Sequence, residues 1–418
     1  MDINDEPEAG GTGRGVHYGL VVLGLIILVV FSALGLARFG YTSILPAMQQ
    51  ALELSNTQTG LLQSWNLVGY LLTVVVAGLL AARFGPRVVI SIALLVVAGG
   101  MILTGLIPTF RAACVGRFLA GVGGAGSNVP AMGLVSAWFG GRRRGLAAGA
   151  GVAGSSVGLM VAGPLIPAIL ARYGEEGWRL SWYVLGALTM SVCVIVALFL
   201  RNRPGEMGLR PLGQSDSEKQ NRSAPPVVSG LDWGSVYRSR SLWQLAAIYF
   251  GFGFSYIIYA TFFVRHLTAE AGFTLTQAGR LWLQIGLVSV VSGFIWGSVS
   301  DRWSRRAALV WVFALQAASF VLFGLARERW GIYLSAALFA VTAWSVPALM
   351  AALSGDLFGA RLAPAALGLI TMVFGLGQAL GPYVAGVIAD ATSSFGPTFV
   401  LAGMVALMLG AGGALLMP

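Results

Sequence analysis

About twelve stretches of this 418-residue chain are each apolar and long enough to cross a lipid bilayer. A helical span of the hydrocarbon layer takes about 20 apolar residues. The runs fall at approximately 18–47, 58–82, 86–108, 111–138, 145–171, 179–201, 241–265, 275–300, 306–326, 330–354, 364–389 and 396–417. In lipid every backbone amide must find its partner inside the chain, so such runs are helices. A β-barrel would show segments of about 10 alternating residues, and the unbroken run from Gly19 to Phe31 contradicts that. Charged residues make up 10% of the chain and hydrophobic ones 57%, whereas soluble domains carry about 25% charge. That shortage excludes a soluble enzyme, a nucleic-acid binder and a disordered chain, and it leaves an all-α membrane protein with twelve transmembrane helices.

Charge placement orders the spans. The longest polar segment, 202–240, holds Pro204, Pro211, Pro225 and Pro226 among several arginines and divides six spans from six. With residues 1–17, this segment together with Arg201, and the loops at 83–87, 141–144, 302–306 and 361 on one side, 17 of 26 Lys+Arg lie there, six lie in opposite loops and three inside spans. The positive-inside rule then puts both termini in the cytoplasm, and the net charge of +10 needs no nucleic acid. The expected organisation is a disordered cytoplasmic tail at 1–17, an N-terminal six-helix bundle at 18–201, a cytoplasmic linker at 202–240 and a C-terminal six-helix bundle at 241–418. The apolar stretch Leu20–Phe31 behind Arg14 and His17 has features of a secretory signal. The run resumes after Arg38, however, and its removal would leave an odd number of spans, so cleavage is not expected. Cys114 and Cys193 sit in apolar runs and read as small buried hydrophobes. His17 and His266 lie near helix ends, and no metal or cofactor is expected.

The halves share one pattern at the turn between their second and third spans. It reads Gly78-Leu-Leu-Ala-Ala82-Arg83-Phe84-Gly85-Pro86-Arg87 in the first and Gly297-Ser-Val-Ser-Asp301-Arg302-Trp303-Ser304-Arg305-Arg306 in the second. A glycine here permits close helix approach, an aspartate attracts a helix N-terminus, and arginines pair across the bundle or anchor at lipid phosphates. With these residues the chain resembles the major facilitator superfamily, whose signature loop reads G-x-x-x-D-R-x-G-R-R/K. The first copy departs from it at Ala82. Gly116-Arg117-Phe-Leu-Ala-Gly121, Gly163-Pro164 and Gly377-Gln-Ala-Leu-Gly381-Pro382 match further. The stretch Arg203-Pro-Gly-Glu-Met207-Gly208-Leu-Arg-Pro211 is similar to one in bacterial carriers of the monocarboxylate and oxalate/formate groups. The resemblance implies a monomeric carrier of the bacterial inner membrane that rocks two bundles about a midplane site. It also implies gating roles for Gly78, Arg83, Arg87, Arg117, Gly297, Asp301, Arg302 and Arg306.

An ionisable residue inside a span costs about 2.5 to 3.5 kcal/mol on insertion scales, so it is a functional candidate. Arg38, Arg117 and Arg280 qualify, and no Asp or Glu falls near the middle of any span. Arg38, flanked by Gly35, Gly40 and Tyr41, grips a carboxylate or else pairs helix-end carbonyls. By resemblance Arg280 is the monocarboxylate-carrier arginine, although Thr276 stands where the family's Asp is expected. The other reading of Arg280, and of Arg117, is snorkelling. Gln63, Asn66, Tyr70, Asn128, Tyr256, Tyr259, Gln284, Trp344, Ser345, Gln378 and Tyr383 are further polar or aromatic candidates for a cavity lining, or else for interhelix contacts. Gly154-Ser-Ser-Val-Gly158 fits close helix packing rather than phosphate binding.

The expected function is secondary active transport of a small organic anion, such as lactate or pyruvate, with a proton as coupling ion. The alternative is a proton-driven efflux antiporter for amphipathic compounds. A sensor or an appended enzyme has no polar stretch to house it, and no Walker loop supports ATP-driven transport.

Overall fold

The computed structural model describes residues 17–106, 108–214 and 238–417. The expected disordered tail, save His17, and most of the expected linker lie outside the described residues. The described part is helical: α1 Tyr18–Ala51, α2 Asn56–Phe84, α3 Pro86–Leu106, α4 Phe110–Trp138, α5 Gly141–Tyr173, α6 Gly177–Phe199, α7 Arg240–Ala269, α8 Leu275–Arg302, α9 Arg305–Leu325, α10 Arg329–Phe358, α11 Ala366–Thr392 and α12 Gly396–Leu415. Only the short charged turn Gly174–Glu176 separates α5 from α6, so helical structure is almost continuous from one to the other. Helical hydrogen bonding runs unbroken from Ser345 to Thr392, yet Trp344 and Gln378 both meet Tyr256. A straight helix would hold those two residues about 50 Å apart, so the chain doubles back between α10 and α11.

Helix ends follow from local chemistry that the two halves repeat. Ser55 with Gln58 and Thr274 with Gln277 form capping boxes that start α2 and α8. Gly85, at φ 86°, stops α2, and Pro86 opens α3 with its φ already helical. Arg87 then donates to Ala197 O from Nε (2.9 Å) and Nη2 (2.5 Å), clasping the end of α6. Its counterpart Arg306 donates to Met417 O and Leu415 O, clasping the end of α12. Both arginines therefore satisfy carbonyls that a helix C-terminus leaves without partners. The beginning of the expected linker docks on this same end, with Leu212 N on Trp138 O (2.8 Å) and Gly140 N on Leu212 O (3.0 Å).

The two halves are packed tightly at the end opposite the motif loops. A Cβ on Gly60 would lie 2.0 Å from Pro382 O, and one on Gly279 would lie 2.1 Å from Gly163 O, so α2 meets α11 and α8 meets α5 through bare backbone. Thr42 Oγ1 donates to Ala260 O (2.6 Å) and Arg265 Nε donates to Gln49 Oε1 (2.6 Å), which ties α1 to α7. At the motif end, the basic end, a Cβ on Gly78 or Gly297 would meet nothing within 4 Å. The close approach expected of these two glycines is absent because no other helix comes near them here. α1 and α7 also run further than expected, to Ala51 and Ala269, so Arg265 lies on a helix instead of in a loop.

Candidate functional site

Three helices lose regularity at one level of the molecule. α1 widens into a π-helix over Phe31–Phe39, α8 breaks at 290–291 and α10 breaks at 343–344. π-turns and interrupted membrane helices recur at functional sites because they free backbone groups and re-aim side chains. The breaks meet around Trp344, whose backbone N donates to Ser292 Oγ (3.2 Å) and whose Nε1 donates to Ser156 Oγ (2.9 Å) on α5. Ser156 is also 2.9 Å from Ser289 on α8. It belongs to the Gly154–Gly158 run, where a Cβ on Gly158 would lie 2.1 Å from Gly35 Cα, so α5 presses directly on the π-turn of α1.

Arg38 sits in the last turn of that π-helix and is only 6% exposed. Its guanidinium lies 4.5 Å from the centre of the Tyr70 ring, and its Nε has no hydrogen-bond partner among the described residues. The Tyr256 hydroxyl faces it and accepts a hydrogen bond from Gln378 Nε2. Asn128 Nδ2 donates to the Tyr70 hydroxyl (2.8 Å). The rings of Phe39 and Trp344 stand 5.5 Å apart, with Trp344 also 6.4 Å from Tyr256. Of the residues singled out in the sequence, the fold thus assembles Arg38, Tyr70, Asn128, Tyr256, Trp344 and Gln378. None of the four ion pairs among the described residues involves Arg38.

Other candidates lie elsewhere. Arg117 is fully buried inside the first half, donating to Ala37 O (2.6 Å) and Gln63 Oε1 (2.5 Å) beneath the rings of Tyr41 and Trp182. It does not snorkel. Tyr41 spends its hydroxyl on Thr59 O (2.8 Å), and Asn66 spends its amide on Arg117 O (3.1 Å), so both hold the bundle together instead of lining a cavity. Tyr259 is enclosed by Phe263, Phe320, Phe323 and Phe339, with its hydroxyl on Ser335 (3.0 Å). Ser345 spends its hydroxyl on Thr342 O (2.6 Å) at the break in α10. Tyr383 is 41% exposed on α11.

Arg280 and Gln284 are exposed on one stripe with Leu287 and Val291. Arg280 is nine residues from Ser289, which places it about half a turn away from the central cluster. Arg280 therefore lies on the exposed stripe of α8, and the fold does not bring it onto the side of the helix that carries Ser289.

In the motif loops, Asp301 pairs with Arg305 (2.5 Å), and Arg305 also reaches Asp356 on α10 (3.2 Å). The first half cannot build this network, having Ala82 and Pro86 at the equivalent positions. Arg83 and Arg302 are exposed, with Arg83 resting over Phe84.

Sequence reasoning missed two features. The π-turn left no signal beyond Gly35 and Gly40 beside an arginine. Asp390, near the end of α11, stands out in no sequence pattern, yet it accepts from Asn56 N (2.9 Å), Thr57 N (2.8 Å) and Thr57 Oγ1 (2.5 Å) across the two halves. A cavity of about 610 Å³ lies beside that contact, between the ends of α1 and α7, and contains none of the central residues. Nearby, Glu270 accepts from Phe395 N (2.8 Å) and Ser394 Oγ (2.7 Å) and lies 3.3 Å from His266 Nδ1. Burial works to raise its carboxyl pKa. The bonds to His266, Phe395 and Ser394 outweigh that and hold it down from 4.5 to about 2.

The family described as "Uncharacterised MFS-type transporter YbfB" matches residues 30–415. The chain belongs to this family of major facilitator superfamily transporters. It is 25% identical over 403 residues to a probable sulfoacetate transporter, SauU, of Cupriavidus necator, covering 92% of this chain and 90% of that protein. It is 26% identical over 415 residues to monocarboxylate transporter 3 of Rattus norvegicus, covering 96% and 81%. Among solved structures it is similar to a bacterial homologue of the human lysosomal transporter Spinster, in an inward-facing, unoccupied conformation, with a TM-score of 0.77 at 18% identity, over 96% of this chain and 97% of that one. The protein is a multi-pass membrane transporter with the major facilitator fold of two six-helix bundles, and it is not an enzyme.

Proposed function

We propose that this transporter is a secondary active carrier of a small organic anion, a monocarboxylate such as lactate or pyruvate, and that Arg38 is the counter-charge for its substrate. The observation that carries the reading is the Arg38 guanidinium, buried among rings at the level of three helix interruptions, with its Nε unspent. A guanidinium stays charged and binds a carboxylate through two parallel hydrogen bonds, so an anionic ligand supplies the counter-charge that none of the ion pairs among the described residues gives Arg38. Relatives named for sulfoacetate and monocarboxylate transport support an anion.

In this reading residues 18–201 and 241–418 are the rocking bodies, 202–240 is their tether, and the carrier works as a monomer by alternating access. The basic end faces the cytoplasm of a bacterial inner membrane with both termini inside, and the packed end faces outward. Among the described residues the carboxylates lie at helix ends or in loops, so the bound anion itself neutralises Arg38, and the coupling proton travels with the substrate. The efflux-antiporter alternative would be favoured by Arg38 and Arg280 both turned to lipid headgroups, and the burial of Arg38 speaks against that.

The test is uptake of labelled lactate and pyruvate into proteoliposomes. Arg38→Gln is expected to abolish uptake while the protein still elutes as a single species, and an acidic exterior is expected to accelerate wild-type uptake. Wild-type rates in Arg38→Gln would sink the assignment of the site, and indifference to the pH gradient would remove the proton.

A further inference from the structure

The side chains around Arg38 also bear on which anion fits. Resting on the reading of Arg38 as the anion site, we propose that the site selects monoanions whose carboxylate or sulfonate is carried on a flat, apolar body, and rejects dianions and polyhydroxylated acids.

One argument is charge. Among the described residues the guanidinium that feels the charge of Arg38 is Arg117, which is buried at 0% exposure with its Nη atoms spent on Ala37 O and Gln63. A ligand reaching Arg38 finds one cation. A second carboxylate would lie among the rings around Arg38 without a cation of its own, and an unpaired buried charge is costly.

A second argument is shape and chemistry. The Tyr70 ring covers one face of the guanidinium. Beyond it stand Phe39 and Trp344, 5.5 Å apart, and Tyr256 and Phe374, stacked at 6.1 Å with their planes 5° apart. Rings at these separations gain most from another flat, apolar surface. The nearby amides are committed: Asn128 holds the Tyr70 hydroxyl and Gln378 holds that of Tyr256. Each phenol, already accepting, keeps its hydrogen to donate to an anion. The two phenol hydrogens and Arg38 suit one anionic group, and the several hydroxyls of a polyhydroxylated acid would meet mostly ring surface.

The experiment measures binding to the purified full-length protein by titration calorimetry, with phenylacetate, acetate, gluconate and phenylmalonate as probes. Phenylacetate is expected to bind at least about tenfold more tightly than gluconate or phenylmalonate. Trp344→Ala is expected to weaken phenylacetate about tenfold and to leave acetate within about twofold. Because Trp344 also donates to Ser156, Phe39→Leu, which keeps apolar volume but removes a ring, serves as a second variant with the same expected pattern. Gluconate or phenylmalonate binding as tightly as phenylacetate overturns the selectivity, as does an equal loss of acetate and phenylacetate in both variants. Arg38→Gln separates the two levels: loss of all four anions upholds the anion site on which the inference rests. Retention of phenylacetate binding by Arg38→Gln overturns that site and this inference with it.

Discussion

Asp390 accepts hydrogen bonds from both the backbone amide (2.8 Å) and the hydroxyl (2.5 Å) of Thr57, and the two residues belong to different halves of the chain. Asn56 N adds a third bond (2.9 Å). A carboxylate placed at a helix N-terminus is favoured both by the orphan amides and by the helix dipole. The bonds exist only while the ends of α2 and α11 are together, so they stabilise this packed end against opening.

Asp390→Ala is accordingly expected to shift the population toward opening of that end. Losing hydrogen bonds to a charged group costs about 1.5 to 3 kcal/mol, or roughly tenfold or more in the open/closed ratio. Spin labels at Glu53 and Ala271, with distances read by pulsed electron resonance, report the change. An unaltered distance distribution would refute the latch.

Arg280→Ala is expected to keep anion uptake within about twofold of wild type, since its side chain shares a stripe with Leu287 and Val291, 60% and 47% exposed, and surface changes away from a site cost little. Complete loss of lactate uptake by this variant would return Arg280 to the substrate path.

Arg117→Lys is expected to lower thermal stability clearly although the charge is kept. A lysine ammonium cannot reproduce the planar fork between Ala37 O and Gln63 or the contact with the rings of Tyr41 and Trp182. A buried carbonyl left without its donor costs about 1 to 3 kcal/mol. The midpoint of thermal unfolding in detergent measures this, and an unchanged midpoint would contradict it.

Glu270 sets a pH dependence. Its folded-state pKa is depressed, from 4.5 to about 2. The stabilisation is therefore fully present above pH 4.5 and is lost as pH falls through about 2. Because Glu270 is partly exposed and solvent screens its partners, the shift corresponds to about 1 to 2 kcal/mol of stability. Glu270→Gln should be less stable than wild type at pH 6, with the gap closing as the pH approaches 2. A gap that stays constant over that range would show that ionisation of Glu270 plays no part.

The clasps of Arg87 and Arg306 show what a linear repeat conveys. The two arginines hold equivalent places in the motif, and each bonds the end of the sixth helix of its own half. Equal spacing from equivalent helix starts delivers equal side chains to equal places. The glycines of the same motif show the limit. Gly78 and Gly297 mark where backbones are able to approach, but whether they do depends on which end of the bundles is closed, and that is a property of the conformation.

The sequence by itself determined the membrane, the number of spans, the twofold repeat and the presence of buried arginines without carboxylates. Each follows from composition and order along the chain, because lipid forces helices and penalises charge wherever it occurs. Only the tertiary structure decided what each arginine does. Arg38, Arg117 and Arg280 have similar sequence surroundings, yet one stands among rings with an unspent Nε, one is locked inside a bundle and one faces outward. The difference comes from helix rotation and from the π-turn at Phe31–Phe39. Both are set by how α5 and α4 press on α1, through contacts between residues 80 or more positions apart, which no local pattern records.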